Sequence, residues 1–115
     1  MKTIEYSPIV TGKLKRLRKF ITEEYNDSLS EKILKEMLDD VDNLALFEES
    51  GVNISKRYDL ETDYWYLFTH QHYFIYRIET TNIIIVQLFH EKEDFMKQLF
   101  GISGRSQESI DYWGE

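Results

Sequence analysis

No cysteine occurs among the 115 residues, which removes disulfides, thiolate metal sites and thiol nucleophiles together. Long apolar runs are missing too. The longest, Ile83 to Val86, falls far below the roughly 20 residues that a membrane-crossing helix needs. The opening MKTIEYSPIV carries no apolar core of a secretion signal, so the cytoplasm is the expected location. Basic residues are in short supply, 14 Lys and Arg against 21 Asp and Glu, for a net charge of −7. Phosphate binding relies on those cations, and a generic nucleic-acid binder is disfavoured. Repeats, linkers and low-complexity tracts are also lacking, and the length suits one domain with a single core.

What the chain does have is aromatic residues, 15% of the total, including eight Tyr and seven Phe. Its charge is unevenly spread. Lys13, Lys15, Arg16, Arg18 and Lys19 fall in one short segment, whereas Glu23 to Glu49 is heavily acidic with only Lys32 and Lys35 against it. Two solvated helix faces of opposite sign account for this pattern, and a dipolar molecule is also suited to a charged partner.

Lys2 to Tyr6 reads as a short strand, and Ser7-Pro8 as an N-cap followed by proline at the first helical position. Leu14, Leu17 and Ile21 recur at helical spacing, which carries the first helix to about Tyr25. Asp27 or Ser28 is the expected cap of a second helix, with Ser28 and Glu31 at capping-box spacing. Leu29, Ile33, Met37, Val41 and Leu44 form its apolar stripe, and Gly51 closes the segment. A turn this short predicts an antiparallel helix hairpin. The period then becomes strand-like over Asn53–Tyr58, Tyr64–Thr69, His72–Glu79 and Asn82–Phe89, with joints short enough for antiparallel neighbours. Asp94 to Phe100 reads as a short closing helix that ends at Gly101. The expected class is α+β: a short N-terminal strand, a two-helix antiparallel hairpin, an antiparallel sheet of three to four strands and a short C-terminal helix. Residues 1–101 form the domain and 102–115 a polar tail in which Ile110, Tyr112 and Trp113 stand out.

His70-Gln71-His72 has the spacing that places two imidazoles on one strand face, half of a zinc site. A hairpin turn explains it better, and no metal or cofactor is expected. Metal-free RNA cleavage needs a base, an acid and cations around phosphate, which Lys56, Arg57, Arg77, His90 and Glu91 are the residues to supply. Alternation puts Phe74, Tyr76 and Ile78 on one face and Tyr73, Ile75 and Arg77 on the other. In the next strand Ile84, Val86 and Leu88 are expected in the core. Arg77 and Gln87 would then point away from the helices onto an open sheet face, while His90 has core-side parity. Tyr64 and Trp65 point to opposite faces, which leaves one for a partner.

IEYSPIVTGKLKRLRKFI, LALFEESGVNISKRY and, above all, HYFIYRIE followed by IIIVQLFHEKEDF resemble in order and spacing the RelE/ParE superfamily of bacterial toxins from type II toxin–antitoxin pairs. The likeness runs from about Ile4 to Gly101. It implies a growth-inhibiting toxin held in a hetero-oligomer by a cognate antitoxin, whose segment would cover Leu14, Leu17, Arg18 and Ile21. Two targets are open. ParE-like members poison DNA gyrase; RelE-like members are endoribonucleases that cut mRNA on the ribosome with clustered cations. The residues after His90 are Glu91, Lys92, Glu93 and Asp94, not a basic group, which favours gyrase, with Lys56, Arg57, Tyr64, Arg77 and Gln87 as target-binding residues. In the alternative the protein is an enzyme, with Arg57, Arg77 and His90 as its catalytic set.

Overall fold

A computed structural model describes residues 1–101; the tail expected over 102–115 lies outside the described residues. Strand β1 (Thr3–Tyr6) leads into helix α1 (Pro8–Glu24). Ser7 is its N-cap: the hydroxyl accepts a hydrogen bond from Val10 N–H at 3.3 Å, and Pro8 fills a position whose missing donor costs nothing. Helix α2 (Asp27–Asp42) is capped by Asn26, one residue earlier than expected. Its Oδ1 accepts from Leu29 N–H at 2.8 Å. Met37, Val41 and Leu44 are fully buried, whereas Leu29 and Ile33 are only half-buried and their place in the core goes to Ser30 and Leu34.

The expected strand at Asn53–Tyr58 is corrected. Only Val52–Asn53 is extended, as β2, and Ile54–Tyr58 forms a short helix, α3. Asn53 Oδ1 accepts from Lys56 N–H at 3.2 Å, and this local cap competes with the sheet ladder. Asp59, in the left-handed region at φ 56°, ends the turn. Strands β3 (Tyr64–Thr69), β4 (His72–Ile78) and β5 (Asn82–His90) follow, then helix α4 (Phe95–Phe100), capped by Asp94 and closed by Gly101 at φ 74°.

The sheet has five strands in the order β1-β5-β4-β3-β2 and is mixed, because β1 runs parallel to β5. Antiparallel pairing holds from β2 to β5. A bulge interrupts the β4–β5 ladder: Ile75 pairs with Gln87 but Tyr76 with Ile85, so Val86 is the extra residue. It reverses the expected parity of the first half of β5. Ile83 and Ile85, not Ile84 and Val86, join Leu88 in the core under the α1–α2 hairpin, with Phe74, Tyr76, Met37 and Val41.

The opposite sheet face is not open, which overturns a second expectation. Helices α3 and α4 lie over it and build a second cluster of Ile54, Ile75, Phe89, Phe95 and Met96. Strand β4 therefore feeds two cores in alternation, and Phe74, Ile75 and Tyr76 all have zero exposure. Where β1 stops, Ser7 Oγ and Lys13 Nζ donate to the carbonyls of Val86 (3.2 Å) and Leu88 (2.9 Å) along the remaining edge of β5.

Candidate functional site

Arg77 lies on the α3–α4 side, opposite Tyr64 in the β3–β4 ladder and at the rim of the second core. Its side chain is 37% exposed. Nε donates to Glu79 Oε2 at 2.5 Å, and this bond holds the guanidinium pKa above its ordinary value, with Tyr64 and Asp63 adding to the effect. With Nε taken by Glu79, the terminal nitrogens remain as donors toward a partner. Tyr64 packs its ring against Phe100, with centroids 6.2 Å apart.

Lys56 and Arg57 are exposed on α3. The Arg57 guanidinium sits 5.3 Å over the Tyr58 ring. Burial, aided by Tyr58 and Tyr73, raises the pKa of the Tyr66 phenol. Gln87 is tied elsewhere. Its Oε1 accepts from Lys13 Nζ of α1 at 3.0 Å, and that ammonium also stands 4.7 Å from the Phe89 ring centre. The expectation that Gln87 would share an open face with Arg77 therefore gives way to a helix–edge contact.

His90 lies at the other end of β4. It pairs with His72 across the β4–β5 ladder, five residues from Arg77 along β4. At the rise of an extended strand this is a separation of about 17 Å. The faces differ as well, because His72 and His90 line a groove against α1 and α2. Arg77 and His90 therefore do not converge on one substrate atom.

That groove, about 640 Å³ in volume, has apolar walls from Leu17, Phe20, Ile21, Tyr25, Leu29 and Ile33. An adjoining hollow of about 330 Å³ brings Lys13, Arg16 and the carboxylate of Glu93 up to the same two histidines. Of the residues expected to meet a partner, Leu17 and Ile21 line the groove, Leu14 packs against the core, and Arg18 is exposed on α1. Phe20 and Tyr25, 57% and 68% exposed, were not picked out by helical spacing, although an apolar arc on α1 wider than one core-facing stripe was the available signal. The arrangement offers apolar burial at one end and cations at the other, which suits an acidic amphipathic segment. Among the described residues no group of three or more His, Asp or Glu is placed to hold a metal ion.

The model of the family described as the ParE toxin of the type II toxin–antitoxin system parDE matches residues 4–95. Among solved structures, a chromosomal ParDE TA system from P. aeruginosa aligns over 78% of this chain and 96% of its own, with a TM-score of 0.64 and 11% identity. At that identity the likeness is one of fold. No curated protein matches the sequence.

Proposed function

Because the chain belongs to the ParE toxin family of type II toxin–antitoxin systems, we propose that it arrests growth by binding DNA gyrase and that a cognate antitoxin neutralises it at the α1 groove. The gyrase reading is carried by the separation of Arg77 from His90. RNA cleavage needs an acid, a base and cations on one phosphate, whereas here Arg77 and His90 occupy opposite ends and faces of the sheet. Arg77, partnered by Glu79 and flanked by Tyr64, has instead the character of an anchor at the centre of a protein contact. Lys56 and Arg57 on α3 extend the same side.

The antitoxin reading rests on charge and shape. An acidic segment would bury its apolar side on Leu17, Phe20 and Ile21 and meet Arg18 with its carboxylates. The deciding experiment adds purified full-length chain to gyrase with relaxed plasmid and, separately, to a cell-free translation extract. Inhibited supercoiling with trapped, cleaved DNA is the expected result. Discrete messenger cuts with gyrase unaffected would replace this reading by the endoribonuclease one.

A further inference from the structure

All three histidines of the chain gather beside the α1 groove. They are not equivalent. His70 is matched by Glu36 of α2, with Nε2 to Oε1 at 3.2 Å. His72 and His90 face each other instead, ring centres 5.1 Å apart and edge to face.

The hydrogen bonds define their neutral forms. His72 Nδ1 lies 2.8 Å from the His70 carbonyl oxygen, which only accepts, so Nδ1 carries the hydrogen and Nε2 the lone pair. His90 Nδ1 accepts from Lys92 N–H at 3.1 Å, which requires a lone pair on that nitrogen. Burial is the main influence holding the His72 pKa below its ordinary value, and His90 beside it acts in the same direction.

The charges around the pair come from three elements. On α1, Lys13 and Arg16 border it. On α2, Glu36 is committed to His70. After β5, Glu91 and Glu93 work against the lowering of the His72 pKa, but Glu93 already receives the His90 backbone N–H at 2.8 Å and Gln98 Nε2 at 3.3 Å. Lys92 on the same loop is exposed.

We propose that the His72–His90 pair makes capture of the antitoxin at this groove proton-linked, so that acidification loosens the complex; the inference rests on the antitoxin reading above. A segment laid against Leu17, Phe20 and Ile21 takes the remaining water from the two rings, and an imidazolium left there loses its hydration. Its carboxylates meet Arg18, which lines neither the groove nor the adjoining hollow. The bound state thus favours neutral rings, and affinity falls as the pH drops through the range in which the free groove takes up a proton.

The test uses the full chain and, as probe, the polypeptide encoded by the reading frame adjoining its gene, with affinity measured by calorimetry at pH 7.5 and 5.5. Wild type should bind severalfold more weakly at the lower pH, with about tenfold as the ceiling, because one proton on a group that titrates below 6.5 can contribute at most about one pH unit at pH 5.5. His72→Gln should lose most of that dependence, read as the ratio of its own affinities at the two pH values whatever its affinity at pH 7.5, and His72→Asn serves if the first variant does not fold. His70→Gln should keep the dependence. Equal affinity at both pH values, or the same loss in the His72 variants, overturns the proton linkage alone. No binding by the wild type at pH 7.5 overturns the antitoxin reading and this inference with it.

Discussion

Glu79 grips Arg77 through a 2.5 Å contact from Nε to Oε2, two residues farther along the chain. This pairing keeps the guanidinium at the sheet rim and leaves its other nitrogens to make outward contacts. A partly exposed pair of this kind contributes about 0–1 kcal/mol to stability, so its removal tests function with little effect on the fold. Arg77→Ala should weaken inhibition of gyrase supercoiling by about tenfold or more, with an unchanged melting curve. His90→Ala should leave inhibition near the wild-type level. Equal losses in the two variants would argue for a shared site and against the separation drawn here.

Phe20 is more than half exposed on α1 and packs into neither core cluster. Phe20→Glu should therefore leave stability within about 0.5 kcal/mol of wild type. It should cut antitoxin affinity about tenfold or more, because it places charge where an apolar side chain is to be buried. In cells, co-expressed antitoxin should no longer rescue growth, while toxicity persists.

Gly51 is required by close approach. A Cβ there would lie 2.4 Å from the Tyr66 carbonyl oxygen and 2.6 Å from the Tyr76 hydroxyl, and that hydroxyl already donates to the Glu48 carbonyl at 2.8 Å. Backbone cannot yield cheaply, and the Tyr76 phenol, with its pKa pushed up to about 12 mainly by burial, is enclosed. Gly51→Ala should cost about 1–3 kcal/mol in denaturant unfolding.

The β3–β4 turn places His70 at φ 49° and Gln71 at φ 65°, a two-residue connection that favours glycine at its second position. Gln71→Gly should stabilise the protein by about 0.5–1 kcal/mol. The carbonyl of residue 71, which accepts from Glu91 N–H at 2.7 Å, would be kept. A lower denaturation midpoint would count against the turn geometry.

His72 titrates below its reference value of 6.5 in the folded chain, and the sign of its contribution follows. Above 6.5 both folded and unfolded forms are neutral and stability is complete. Below 6.5 the unfolded chain takes up the proton first, so stability declines until the folded-state pKa is also passed. Melting of the isolated chain between pH 7.5 and 5 should show this loss, and His72→Gln should flatten it over that window. An unchanged slope in the variant would assign the loss to other groups.

Local signals carried much of this fold. Ser7-Pro8 marked the start of α1 and Gly101 the end of α4 because capping is set by near neighbours. Alternation also put Arg77 on the side away from the hairpin, where it lies with Ile75. The first half of β5 was illegible for a definite reason. Ile83, Ile84, Ile85 and Val86 are all apolar, so no polar residue reports the phase, and the bulge shifts the faces unseen. Segment 53–58 has the residues of a strand in Ile54 and Tyr58, yet the Asn53 cap on Lys56 N–H and the closing bond from Leu60 N–H to the Ser55 carbonyl belong to a helical turn. The covering of the second face depends on α3 and α4 meeting across long sequence separation, as does the parallel pairing of β1 with β5. The distance from Arg77 to His90 became readable only once the register of β4 and β5 was known.

With Ser7 and Lys13 occupying the Val86 and Leu88 carbonyls, the stretch of β5 that β1 leaves bare offers few free acceptors to an incoming extended peptide. Edge-to-edge pairing of copies is discouraged on that flank. Whatever engages the molecule there must grip side chains rather than zip onto the main chain, so a helical visitor is favoured over an added strand.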